Sequence, residues 1–214
     1  MTLIGIDFSL NSPALCALTG EDYTFISFFN YGGRPKDRPT PKAFKVHKEL
    51  MELDAITGVS YNRQVKAGDF LLEERLKLTD ARLIAGMIST ESAKHPDPLI
   101  AIEGFSYGSK GNSFLDMVAY NTVLRHALVE QCGIDQFHVF QPSAVKKIAG
   151  KGNANKFYMF EAFRDNRLKD PLLEKHALWQ WCQGKEFEKE IPKPIDDLVD
   201  SYFIVRALSS FHNL

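Results

Sequence analysis

TLIGID, residues 2–7, is a short apolar run that ends on an acid. A strand buried on both faces does not tolerate an unpaired carboxylate in its middle, but at a strand end the charge can meet solvent or a cation. The run therefore reads as a buried first strand finished by Asp7. Two further strands follow at Pro13 to Thr19 and Tyr23 to Asn30, divided by the turn signal Gly20-Glu21-Asp22. Far along the chain LIAIE, residues 99–103, repeats the design of the first strand and ends on Glu103. Two apolar strands that each close on an acid can set two carboxylates side by side at one sheet edge, where they repel each other unless a cation intervenes.

The remaining elements are ordered around these strands. Tyr31 to Pro41 is rich in glycine, proline and basic residues and reads as a loop. Ala43 to Thr57 and Asp69 to Lys94 read as helices, the second with Leu72, Leu76, Leu83, Ile84, Met87 and Ile88 at roughly helical spacing. His95-Pro96-Asp97-Pro98 stops it. A Gly/Ser loop over Gly104 to Ser113 precedes a helix from Phe114 to Cys132, with Gly133 as its C-terminal cap. A fifth strand is expected at Phe137 to Gln141, a short helix at Pro142 to Ala149, and a helix capped by Asn153 or Asn155 that runs to Phe163. Leu172 to Cys182 reads as one helix, Lys185 to Pro194 as a charged linker, and Asp196 to Phe211 as the last helix. Strands followed by helix-separated strands imply an α/β fold, with one mixed sheet flanked by helices. The expectation is a single domain over residues 1–214, elaborated between about 31 and 94.

The last helix opens IDDLVDSYFIVRAL. Asp197 and Asp200 stand at i and i+3 and share a helical face, but so do Asp196 and Asp200 at i and i+4, and spacing does not choose between the two pairs. Asp196 alone has an ordinary explanation as a helix N-cap favoured by the dipole. Asp7 alone has one in a turn. Asp200 has none, because it lies inside the apolar run VDSYFIV and needs a partner there. Hard divalent cations take oxygen ligands and need only a few carboxylates. Two strand ends and one helix supply enough carboxylates for two ions roughly 3.5–4 Å apart, the arrangement suited to in-line phosphoryl displacement.

The chain has 214 residues, 44% hydrophobic and 25% charged, an ordinary globular composition. Its formal net charge of −1 gives no bulk argument for nucleic acid. The distribution says more. Residues 142–160 carry Lys146, Lys147, Lys151 and Lys156 and no acid, and residues 34–48 carry Arg34, Lys36, Arg38, Lys42, Lys45 and Lys48 against Asp37 alone. The two stretches are either solvated loops or a phosphate-binding face. Cys16, Cys132 and Cys182 are odd in number and form no C-x-x-C pair, so zinc and a disulfide framework are not expected, and a reducing, cytoplasmic setting is. No run is long enough to span a bilayer, and the first residues lack a basic n-region.

GID at the start, AIEGF in the middle, PSAVKKIAGKGNANK later and DDLVDSYFIVRAL near the end follow in order the motifs of the RuvC-type Holliday-junction resolvases, which this chain resembles. The resemblance implies an RNase H-like fold with a five-stranded mixed sheet, its first three strands antiparallel. It implies a metal-dependent endonuclease that cuts branched DNA, especially four-way junctions, as a homodimer. By position the family's four acids fall on Asp7, Glu103, Asp197 and Asp200, holding two Mg²⁺ ions with Mn²⁺ able to substitute. Lys156 falls at a catalytic lysine, and Lys146, with Lys147 and Lys151 nearby, at phosphate-binding ones. The family's aromatic in the loop after the glutamate points to Phe105 or Tyr107 as a base-stacking group. The long segment 31–94 and the altered loop leave open a broader flap or debranching nuclease, or an RNase H-type enzyme. A sugar-kinase or actin-like ATPase would need a second similar domain for which the chain lacks room. A junction-binding protein without catalysis would have no need of all four acids.

Overall fold

The computed structural model describes residues 1–32, 38–63, 68–105, 112–188 and 190–214. Within them the strands are β1 (Thr2–Asp7), β2 (Ala14–Thr19), β3 (Asp22–Asn30), β4 (Thr57–Tyr61), β5 (Pro98–Glu103) and β6 (Phe137–Phe140). They form one sheet in the order β4-β3-β2-β1-β5-β6. β1, β2 and β3 pair antiparallel, while β5 runs parallel to β1, β6 parallel to β5, and β4 parallel to β3. The helices are α1 (Pro41–Glu52), α2 (Phe70–Ser92), α3 (Asn112–Cys132), α4 (Pro142–Ile148), α5 (Lys156–Arg164), α6 (Pro171–Glu174), α7 (Ala177–Gln183) and α8 (Ile195–Phe211). Among the described residues no helix is long and apolar enough to cross a membrane.

Side-chain alternation sorts the sheet into two unlike faces. Ile4, Ile6, Leu15, Ala17, Ile100 and Ile102 point to the side covered by α2 and α3. Leu3, Ala14, Cys16, Tyr23, Phe25 and Ala101 point to the side covered by α8, with α1, α4, α5 and α7 around it. The middle of this second face is built of small residues, so α8 can lie close to the strands. Gly5 marks the tightest approach, because a Cβ there would stand 2.4 Å from the Ser201 carbonyl oxygen and 2.7 Å from the Val205 nitrogen. α8 is buried on almost every side, through Leu198, Val199, Tyr202, Phe203, Ile204, Val205 and Leu208. At about 1.5–3 kcal/mol for each fully buried large side chain, this one helix is a dominant part of the core.

The sheet has six strands where five were expected. The extra strand, β4, lies in the 31–94 segment; it starts at Thr57, where the expected helix ends, and runs through residues given no element from sequence. The chain leaves α1 at Glu52, and Asp54 adopts a positive φ of 50°, a conformation that Asp tolerates better than most residues. TGVSY then pairs at the sheet edge with no strong alternation to betray it. Likewise, the single helix expected at Leu172 to Cys182 is two. α6 is capped by Asp170, and α7 by the His176 side chain, which accepts from the Leu178 amide at 3.1 Å.

Candidate active site

Register brings Asp7 and Glu103 together. β1 pairs with β5 from Thr2 beside Pro98 to Ile6 beside Ile102, and one further step sets Asp7 level with Glu103. Both continue the face that carries Leu3 and Ala101, which is the face under α8. The close approach at Gly5 then carries the first turns of α8 over the ends of the two strands, since Asp197 lies one helical turn before Ser201. Asp7, Glu103, Asp197 and Asp200, distant along the chain, thus meet at one end of the sheet.

Their electrostatics record the meeting. Burial first, then the neighbouring charges of Asp197 and Asp200, push the Asp7 carboxyl well above the ordinary range. Burial, then Glu103 and Asp197, pushes Asp200 from 3.8 up to about 7. Burial also raises Glu103, opposed by Lys146, and raises Asp197, opposed by Lys193. Among the described residues Asp7, Glu103 and Asp200 make no side-chain hydrogen bond or ion pair. Asp170 shows what a buried acid with a structural role looks like. It accepts from Tyr23 at 2.6 Å, from Tyr202 at 3.1 Å and from the Leu172 amide at 3.0 Å, and pairs with Arg206 at 3.3 Å.

Asp196 is not the N-cap; that position is Pro194, and both Asp196 and Asp197 are buried in the first turn of α8. Lys156, the first residue of α5, pairs with Asp196. Lys193 pairs with Asp197 and stands 3.1 Å from Asp196. Burial by itself would lower Lys193, but Asp197 and Asp196 outweigh it and hold the ammonium protonated. Ser12, in the loop after β1, donates to Asp197 at 2.8 Å. Neither Lys193 nor Ser12 was singled out from sequence. Lys193 carried a readable signal, standing four residues before Asp197, but the flanking Pro192 and Pro194 made the segment look like a linker. Nothing local marks Ser12.

The other expected residues are distributed as follows. Lys146 is half-buried and is the cation that acts on Glu103. Lys147 is exposed on α4. Lys151 is packed 4.2 Å above the Tyr158 ring, which Arg167 also approaches at 4.5 Å. Phe105 is half-buried, with the Arg125 guanidinium 4.6 Å from its ring and Phe114 edge-on at 6.0 Å, so it is packed on α3 instead of standing free. Tyr107 lies outside the described residues, as do Arg34, Lys36 and Asp37.

Cavities flank the carboxylates on both sides. A small one of about 120 Å³ is lined by Asp7, Phe8, Glu103, Phe105, Met117 and Asn121. A groove of about 610 Å³ runs from Asp196, Lys193 and Lys156 past the Ser9–Ser12 loop to Arg38 and Lys42. The two basic stretches of the sequence therefore each contribute to one groove.

The donor set suits a hard divalent cation. It consists of oxygen donors only, three of them without a protein partner, and the buried Oδ1 of Asp196 has no partner either. Among the described residues no three such side chains already converge as a ligand set, and Asp197 is shared with Lys193.

No family model matches the chain, and no curated protein does. Solved structures with a similar outline include RuvC of Thermus thermophilus, at 12% identity over 100% of this chain and 97% of that one, with a TM-score of 0.45. The T. thermophilus RuvC complex with a Holliday junction substrate matches at 12% identity over 99% and 96%, again with a TM-score of 0.45. The yeast mitochondrial Holliday junction resolvase Ydc2 matches at 14% identity over 99% of this chain and 81% of that one, with a TM-score of 0.48. The fold is RNase H-like. The strand order β3-β2-β1-β5-β6, with β2 antiparallel to both its neighbours and β5 and β6 parallel to β1, carries this, with β4 added at one edge of the expected five strands.

Proposed function

We propose that the chain is a RuvC-like, divalent-metal-dependent endonuclease acting on branched DNA, with four-way junctions as its first-choice substrate. One observation carries this reading. Beyond the effect of burial, the charges of Asp200 and Glu103 raise Asp7 and that of Glu103 raises Asp200. Among the described residues these three acids have no ion-pair or hydrogen-bond partner, in a molecule that pairs the buried acids Asp170 and Asp80 away from this end of the sheet. Such a cluster is costly unless a cation joins it.

Asp7, Glu103, Asp197 and Asp200 would hold magnesium, two ions at full occupancy, with manganese as a substitute. When bound, the metal supplies water activation and charge neutralisation at the scissile phosphate. The chain's own residues do the rest. Lys156 and Lys193, at the border between carboxylates and groove, meet phosphate oxygens and stabilise charge that grows in the transition state. Lys146 offsets the charge on Glu103. The Ser12 hydroxyl holds one oxygen of Asp197 and fixes its rotamer. The test is a labelled synthetic four-way junction, incubated with Mg²⁺ or with chelator. Paired symmetric nicks that require the metal support the proposal, while binding without cutting in either condition refutes it.

The carboxylates also set a pH dependence. A carboxyl group whose folded pKa lies above its unfolded value stabilises the fold at low pH, and that contribution disappears as pH rises through the folded value. For Asp200 the window runs from 3.8 to about 7. In chelator, Tm is therefore expected to fall across that window, and added Mg²⁺ is expected to recover more of it at pH 8 than at pH 5. Scanning calorimetry at the two pH values checks this. A Mg²⁺ shift that is equal at both, or larger at pH 5, would count against metal binding to the ionised cluster.

Two cutting sites on one junction call for a two-fold dimer. Helix α2 exposes Leu71 and Leu78 at 62% and 61%, seven residues apart, and α3 exposes Leu115 at 64%. Exposed apolar side chains on these two mutually packed helices suit self-association. Leu78→Glu is expected to turn a dimer into a monomer in sedimentation equilibrium and to uncouple the two nicks. An unchanged mass would remove this surface from the interface.

A further inference from the structure

The groove beside the carboxylates has a wall that an RNase H-like sheet does not require. Arg38, Lys42 and the start of α1 belong to the 31–94 segment, and they line the same groove as Lys156, Phe157, Lys193 and the Ser9–Ser12 loop. Its chemistry is divided. The rim carries the cations Arg38, Lys42, Lys156 and Lys193 from three separate parts of the chain, against the acids Glu190 and Asp196. Leu10, Phe157 and Pro192 add apolar surface between them.

A paired duplex presents phosphates and sugars to a protein and hides its base faces. A single strand presents both phosphates and base faces, and proteins that take single strands combine a cationic groove with an aromatic platform. Lys42 is exposed and makes no ion pair among the described residues. Phe157 is half-buried and follows directly on Lys156, which is paired with Asp196. A strand lying in the groove would run directly into the carboxylate cluster, because Ser12, at the groove's edge, is bonded to Asp197.

From this we infer that the groove takes an unpaired DNA strand continuing from the scissile phosphate, with its phosphates on Lys42 and Lys193 and a base against Phe157. The inference rests on the nuclease reading above and narrows it, since among branched DNAs that the enzyme cuts, those with single-stranded nucleotides at the branch, an open junction centre included, should bind more tightly than the same branch fully paired.

The experiment measures equilibrium binding by fluorescence anisotropy in chelator, so that nothing is cut. The probes are an oligothymidylate, an oligouridylate, a flap and a fully paired four-way junction. Lys42→Ala and Phe157→Leu are compared with wild type and with Lys48→Ala, whose partner Glu52 lies 3.6 Å away on the exposed side of α1. The groove variants are expected to bind the oligothymidylate and the flap about tenfold more weakly, with smaller losses on the paired junction. Lys42→Ala should lower the single-strand salt slope by about 0.7, and Lys48→Ala should change nothing. Lys42 is exposed, so its variant folds, and a thermal melt shows whether Phe157→Leu does.

Unchanged affinity of both groove variants for the single strand overturns the inference. So does an equal loss on duplex and single strand, which would describe a general phosphate surface. Tighter binding of oligouridylate than oligothymidylate also overturns it, by making RNA the occupant. A wild type that cuts junctions yet ignores single strands defeats the groove while sparing the nuclease reading. A wild type that neither binds nor cuts any DNA defeats both.

Discussion

Asp200→Asn is expected to slow junction cleavage on the order of 10³-fold, equivalent to several kcal/mol of transition-state stabilisation, with little change in DNA binding. The carboxylate sits in the middle of the cluster, pushed up to about 7 by burial, Glu103 and Asp197, and it grips no cation of the protein. Its loss removes an oxygen donor and takes nothing from the basic groove. The same substitution should raise Tm in chelator by several degrees, because a neutral amide removes a buried charge that its neighbours repel. This opposition of activity and stability separates a functional acid from a structural one. Asp170→Asn, which disturbs hydrogen bonds from Tyr23, Tyr202 and the Leu172 amide, should lower Tm instead. Cleavage at the wild-type rate by Asp200→Asn would remove it from the site.

Gly5→Val is expected to have the largest effect of any change in the sheet. Even the first added carbon would stand 2.4 Å from the Ser201 oxygen and 2.7 Å from the Val205 nitrogen, and both atoms are helix backbone that no rotamer change can move. Overpacking of this kind costs about 1–3 kcal/mol where side chains can yield, and more where they cannot. Any relief lifts α8 from β1 and carries Asp197 and Asp200 away from Asp7, so activity should vanish along with stability. Gly86→Ala is the control. Its added carbon meets nothing within 4 Å, and alanine in a helix is favoured over glycine by about 1 kcal/mol. Thermal melts of the two variants decide this. A Gly5→Val protein as stable as wild type would contradict the packing described for α8.

Much of the fold was legible because it is written in short-range patterns. TLIGID and LIAIE announce buried strands that end on acids, and the hairpin of β2 and β3 follows from the turn signal Gly20-Glu21-Asp22. Asp7, Glu103 and Asp200 stood out because an acid at the end of an apolar run, or inside VDSYFIV, violates local physical preference, whereas spacing left Asp196 and Asp197 open and only the family resemblance chose Asp197. The failures have equally local causes. β4 is a five-residue edge strand without alternation, and edge pairing is a tertiary effect. The break between α6 and α7 depends on a histidine cap. Lys193 was hidden by its prolines, and Ser12 reaches Asp197 across 185 positions, a contact that only the folded chain displays. Phe105 was a base-stacking candidate from the resemblance, but Arg125 and Phe114 claim its ring. The joining of the two basic stretches into one groove likewise depends on where α1 docks, which no spacing reveals.

The most direct test of the account is a titration of the chelator-treated protein with Mn²⁺, followed by electron paramagnetic resonance or calorimetry with no DNA present. Saturable binding by the wild type is expected, weakened severely by Asp7→Asn and by Asp200→Asn and left untouched by Lys48→Ala. Binding that is equal in wild type and both aspartate variants, or none by the wild type at millimolar Mn²⁺, would contradict it.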